Sequence, residues 1–172
     1  HLGLGNYLAK NGYRAKFDIM NDHLARVMEI VNKYGLKPMI WSDMYFRAAT
    51  PNGGYYDADA IIPPEIANKV PDGVQLVYWD YYHYDKEFYV DFLNRHRAFK
   101  EEPIFAGGIW TWTGFAPNWK KTFATTNPAL MACKEQNIRE VFATIWGDNG
   151  TECNVYTNLL GLQLFAEHGY SR

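Results

Sequence analysis

Val74-Gln75-Leu76-Val77-Tyr78-Trp79-Asp80, residues 74–80 of the chain, is a short apolar run opened by the turn Pro71-Asp72-Gly73. Residues Asp85 to Lys100 follow as a helical pattern, with Phe88, Phe92 and Phe99 beside Val90 and Leu93 on a broad apolar face. Pro103 to Trp110 is a second apolar run, softened by Gly107-Gly108. A continuous apolar run too short for a helix, a helix, and another such run predict a strand–helix–strand unit, and strands buried on both faces are those of a parallel sheet.

The same alternation extends in both directions. Downstream, Trp119 to Gln136 reads as a helix interrupted near Asn127-Pro128, Glu140 to Trp146 as a strand, and Cys153 to His168 as a last helix rich in leucine. Upstream, Leu24, Val27, Met28 and Val31 fall at i, i+3, i+4 and i+7 between Asp18 and Tyr34, with Gly35 placed as a helix-ending glycine. Lys37 to Ser42 is a strand, Tyr45 to Ile62 is loop-like, and Pro63-Pro64-Glu65 opens a short helix reaching about Val70. The expected order is α-β-α-β-α-β-α-β-α, an α/β fold with right-handed crossovers. No linker or shift in composition divides residues 1–172.

Composition narrows the function. The chain has 172 residues and a net charge of −2, which argues against nucleic acid as a partner. No apolar run approaches the ~18 residues of a membrane span, so no membrane partner is expected. Cys133 and Cys153 form neither a disulfide framework nor a zinc pattern. The five histidines lack metal-ligand spacing, and His23 and His96, on helices, are expected to be solvated or surface-paired. Neither a metal nor another cofactor is implied. Leu2-Gly3-Leu4-Gly5 follows no strand and makes a poor phosphate cradle, and there is no nucleophile elbow. Asn149-Gly150-Thr151 has the pattern of a glycosylation sequon. The chain begins at His1 with no leader-like segment and reads as a mature or excised piece, which leaves localisation open.

Aromatic residues are the outlier, at 17% of the chain. Each of the four strands ends in tryptophan: Trp41, Trp79, Trp110 with Trp112, and Trp146. Asp43, Asp80 and Asp148 follow three of these within two positions. In parallel α/β folds the C-terminal strand ends form the ligand face. Tryptophan walls with carboxylates suit carbohydrate, because the apolar face of a pyranose stacks on indole while carboxylates accept hydrogen bonds from hydroxyls. Tyr81 and Tyr82, just past a strand end, are candidates for the rim.

The succession Met39-Ile40-Trp41-Ser42-Asp43-Met44, Val77-Tyr78-Trp79-Asp80-Tyr81-Tyr82, Gly108-Ile109-Trp110-Thr111-Trp112 and Thr144-Ile145-Trp146-Gly147-Asp148 resembles the second half of the catalytic barrel of family 20 glycoside hydrolases, the β-N-acetylhexosaminidases. It is most similar to the bacterial branch whose last strand reads Trp-Gly-Asp-Asn-Gly. The resemblance covers nearly the whole chain and implies the C-terminal half of a (β/α)8 TIM barrel, with about four parallel strands. A full barrel typically needs ~250 residues, so 172 residues then read as part of one catalytic domain.

That resemblance implies substrate-assisted retaining hydrolysis of terminal β-linked GlcNAc or GalNAc, in which the 2-acetamido oxygen attacks the anomeric carbon. It assigns Trp41, Trp79 and Trp146 to the walls of the acetamido pocket and Asp148 to the sugar 4- and 6-hydroxyls, where the family more often carries glutamate. Where many members have Trp-Tyr, this chain has Trp110-Thr111-Trp112, so the donor to the acetamido oxygen is Trp112, Tyr81 or Tyr82. The family's adjacent Asp-Glu pair is absent, since Glu101-Glu102 is the only adjacent carboxylate pair and sits before Pro103 at a helix end. The pair is expected just upstream of His1, which leaves no catalytic acid in this chain and predicts that it is inactive alone. Four parallel strands leave two open edges, so the expected partners are the other half of the barrel or further copies of this chain, besides a carbohydrate ligand. Two rival readings stand beside this one: a non-catalytic sugar-binding module, and a different barrel glycosidase using Asp43, Asp80 or Asp148.

Overall fold

The computed structural model describes residues 2–147 and 152–171. Four strands, β1 (Met39–Trp41), β2 (Gln75–Trp79), β3 (Ile104–Gly108) and β4 (Val141–Thr144), form one parallel sheet in the order β1-β2-β3-β4. The described helices are α1 (Asn6–Asn11), α2 (Lys16–Lys33), α3 (Asp43–Ala49), α4 (Pro64–Ala67), α5 (Lys86–His96), α6 (Trp119–Glu135) and α7 (Leu159–Tyr170), the last preceded by a 3₁₀ turn, Val155–Asn158. The chain is thus α/β, as its alternating pattern implied. It divides into two compact units, His1–Leu76 with Arg97–Glu102, and Val77–His96 with Pro103–Arg172.

In the first unit α2 buries Asn21, Leu24 and Met28, one face of the helix. It ends where the sequence placed its stop. Gly35 has φ 64°, its N–H donates to Asn32 O, and the Leu36 N–H donates back to Val31 O, which satisfies the last carbonyls of the helix. The segment expected to be loop from Tyr45 contains α3 instead. Its Tyr45 and Phe46 are fully buried, and Tyr45 lies 5.2 Å from the ring of Phe99. Burial of two large rings on one short helix outweighs the weak helical preference of aromatic residues. Thr50-Pro51 then ends it.

The second unit is organised by alternation along its strands. In register, Tyr78 lies beside Phe105 and Phe105 beside Val141, while Trp79 lies beside Ala106 and Ala106 beside Phe142. Tyr78 and Phe105 face the helices: Tyr78 packs on Phe92 and His96 of α5, and Tyr89 packs on Phe105. The buried face of α5 is Tyr89, Phe92, Leu93 and His96, spaced i, i+3, i+4 and i+7. His96 therefore corrects the surface reading. It is 1% exposed, its Nδ1–H donates to Phe92 O at 2.6 Å, and burial lowers its pKa to about 4. His23 is exposed, as expected.

Nor does α6 break at Pro128; it runs unbroken from Trp119 to Glu135. Proline removes one backbone donor, but Thr122, Thr125 and Thr126 before it and Ala129, Leu130, Ala132 and Cys133 after it are all buried, and that continuous face holds the helix through the defect.

Two glycines set how closely these elements approach. A Cβ on Gly107 would lie 2.9 Å from the Phe165 ring of α7, and one on Gly161 would lie 2.5 Å from Ile109. Both helix and strand need the missing side chain for this contact.

Candidate functional site

The C-terminal ends of β2, β3 and β4 gather aromatic rings into one cluster in the second unit. Tyr81, Trp110 and Trp112 are buried together, with Trp79 and Trp146 packed against them. Trp110 and Trp112 stack with centroids 4.4 Å apart and planes at 27°. Tyr81 meets both edge-on, at 5.9 and 5.4 Å, and Tyr82 meets Trp110 edge-on at 5.4 Å. Offset and edge-to-face contacts are those favoured by the ring quadrupole. Gly108 makes room, since a Cβ there would lie 2.7 Å from Tyr81 and 2.8 Å from Trp112.

Hydrogen bonds fix this cluster to the fold. The Trp110 ring N–H donates to the Tyr81 carbonyl at 3.1 Å, and its backbone N–H donates to the Thr122 hydroxyl at 3.0 Å. The Asn118 N–H donates to Trp110 O, while the Asn118 side chain caps α6 by accepting from the Lys121 N–H. Thr111 donates to Asn158 Oδ1 at 2.9 Å, which ties β3 to the entry of α7. The start of α6 thereby delivers Lys121, whose ammonium lies 3.7 Å from the Trp110 centroid and 5.2 Å from that of Tyr82. Tyr82 is 49% exposed and is the open side of the cluster.

The structure thus brings together Trp79, Tyr81, Trp112 and Trp146 of the expected site residues with Trp110 and Tyr82, which the sequence also placed at these strand ends, and adds Lys121. Asp80 stands at the same strand end but faces inward. It is 2% exposed. Oδ2 accepts from the Tyr78 hydroxyl at 2.9 Å and bonds His83 Nδ1 at 2.7 Å, and Oδ1 accepts from the Tyr82 N–H at 2.9 Å. A carboxylate so engaged positions its neighbours rather than presenting itself to a ligand. Trp41 and Asp43 belong to the first unit, where Trp41 is partly exposed at the end of β1 and Asp43 is buried in the first turn of α3. Asp148, with Asn149-Gly150-Thr151, lies outside the described residues.

Sequence reasoning passed over His83 and Lys121. The spacing Asp80-x-x-His83 directly after a strand end was the available signal for the first. For Lys121 there was none, because its ring contacts come from chain packing. Among the described residues no group of three or more His, Cys, Asp or Glu could hold a metal ion. None of the described helices is long and apolar enough to cross a membrane. Comparison with family models gave no match to this chain, and comparison with curated proteins gave none either.

Proposed function

We propose that this chain is the C-terminal half of the (β/α)8 catalytic barrel of a family 20 glycoside hydrolase, a β-N-acetylhexosaminidase acting on terminal β-linked GlcNAc or GalNAc. The observation that carries the reading is the single cluster of Trp79, Tyr81, Trp110, Trp112 and Trp146 at adjacent C-terminal strand ends of a parallel sheet. In this reading Trp79 and Trp146 are walls for the acetamido group, Tyr82 offers a ring face to the pyranose, and Asp148 receives the 4- and 6-hydroxyls.

The general acid and the carboxylate that orients the acetamido group come from outside these 172 residues, since no Asp-Glu pair occurs within them. Internal engagement of Asp80 weighs against the rival reading in which that residue does acid–base work. The remaining strands of the barrel, or a further copy of the chain, would cover the outward side of β4 and α7, where Phe142, Ile145, Leu159, Leu160 and Leu162 are exposed.

The test uses the chain as it stands. Titration with N-acetylglucosamine and with glucose, followed by tryptophan fluorescence and NMR, is expected to show binding of the N-acetyl sugar only, weakened at least about tenfold by Trp79→Ala. A chromogenic N-acetylhexosaminide is expected to show no turnover. Robust turnover, or equal binding of both sugars, overturns the reading.

A further inference from the structure

His83 is held from three directions. Its ring lies face to face with Phe88, with centroids 3.6 Å apart and planes at 16°. Its carbonyl accepts from the Tyr89 hydroxyl at 2.8 Å. Its Nδ1 lies 2.7 Å from Asp80 Oδ2. A carboxylate oxygen is an acceptor, so Nδ1–H is the donor in this pair, and the ring is partly exposed. The other Asp80 oxygen takes the Tyr82 N–H, and the Asp80 N–H donates to Ala106 O of β3. Asp80 is therefore tied to the sheet through its backbone N–H, while its buried carboxylate joins the Tyr78 hydroxyl, the backbone of Tyr82 and an imidazole whose plane is fixed by stacking.

The residues between Asp80 and His83 are Tyr81 and Tyr82. Tyr81 sits between Trp79, Trp110 and Trp112, and its carbonyl receives the Trp110 ring N–H. Tyr82 covers Trp110 and faces solvent. A small rotation of this turn would move both rings and release the Trp110 indole.

We propose that His83 is the positioning residue of the aromatic site: by donating to Asp80 it fixes the turn that carries Tyr81 and Tyr82, and it sets the affinity of the cluster for a sugar ring without touching the ligand. The proposal rests on the sugar-binding reading for its ligand, while the clamp itself is independent of that reading. Without the imidazole, Asp80 Oδ2 keeps only the Tyr78 hydroxyl among the partners described above, and a buried carboxylate deprived of a donor draws its remaining donors out of place. Asparagine at position 83 can offer its side-chain N–H close to where Nδ1 sits and so restores the bond without the ring.

The decisive experiment compares the wild-type chain, His83→Ala and His83→Asn. Amide hydrogen exchange at Tyr82 is read against Leu130 in α6, and affinity for N-acetylglucosamine is read by NMR titration. We expect Tyr82 exchange to be at least about tenfold faster in His83→Ala with Leu130 unchanged, affinity to fall about tenfold, and both to return toward wild type in His83→Asn. Unchanged exchange at Tyr82 overturns the clamp. Faster exchange with unaltered sugar affinity overturns the positioning role. Equal loss at Tyr82 and Leu130, or no rescue by asparagine, also overturns it by making His83 a packing residue only. If the wild type binds no N-acetyl sugar, the functional reading fails, and the exchange arm alone still decides the clamp.

Discussion

Two aromatic clusters share the same strands and differ in nearly everything else. On the helix-facing side, Tyr78, Phe105, Tyr89, Phe92 and His96 are sealed, and their polar atoms are satisfied within the protein: Tyr78 donates to Asp80, Tyr89 to His83 O and His96 to Phe92 O. At the strand ends, Trp79, Tyr81, Trp110, Trp112 and Trp146 pack as closely, yet Tyr82 opens to solvent and a lysine lies over the rings. Of the two, only the strand-end cluster contains tryptophan, but aromatic content alone does not say which rings are sealed. Position does, because alternate residues of a strand point to opposite faces, so neighbours such as Tyr78 and Trp79 go to different clusters.

Truncating the sealed cluster should have the largest effect. Phe92→Ala removes a fully buried ring packed on Tyr78 and Phe88, and is expected to cost about 3–5 kcal/mol in urea unfolding. A cost below about 1 kcal/mol would erase the distinction between the clusters.

Acid should act next, and through the same cluster. Folded His96 has a pKa near 4 because burial opposes its charge, against about 6.5 when unfolded. Between these values the unfolded chain binds the proton and the folded one does not. The contribution of His96 is therefore fully present above about pH 6.5, declines as pH falls toward 4, and below that leaves a constant penalty of about 3 kcal/mol. Urea midpoints at pH 7.5 and 4.5 should differ more for the wild type than for His96→Leu; equal pH dependence in the two proteins would refute the assignment.

A smaller effect, specific to the strand-end cluster, is expected from Gly108→Ala. The new methyl would meet Tyr81 and Trp112 inside van der Waals distance, costing about 1–3 kcal/mol and altering the near-ultraviolet circular dichroism of the tryptophans. The Phe92 substitution should leave that tryptophan signal much less changed at temperatures where it remains folded.

β2 and β3 were legible because buried parallel strands are continuous apolar runs, and α2 because its apolar spacing and its terminal glycine agree; β1 and β4 carry similar runs although their residues stay half-buried or exposed. The tryptophans at the ends of β2, β3 and β4 pointed to the aromatic cluster because each lies at the close of an apolar run, while Trp41, at the end of β1, belongs to the first unit. His96 was misread although its signal was present: Tyr89, Phe92, Leu93 and His96 define the helix face, whereas Phe99, counted toward that face, lies beyond α5 and belongs to the first unit. The continuity of α6 through Pro128 and the existence of α3 were not legible, because both depend on burial against residues distant in sequence. The engagement of Asp80 was hidden because the Tyr78 hydroxyl reaches it from the residue two positions earlier, and strand alternation alone does not foretell which oxygen is taken.

The contact between Gly161 and Ile109 has a consequence for how α7 is seated. Gly161 is flanked on the helix by Leu160 and Leu162. Helix neighbours point about 100° apart, so the residues sharing the face of Gly161 are Asn158, Leu164 and Phe165, and sliding α7 by one turn in either direction would bring one of them to the place where even a methyl group does not fit. The glycine acts as an index mark, allowing one longitudinal setting of the helix. With Thr111 bonded to Asn158 one turn earlier, two independent points agree on that setting. The far end of the unit is thus aligned by a missing side chain, as a key is aligned by its notch.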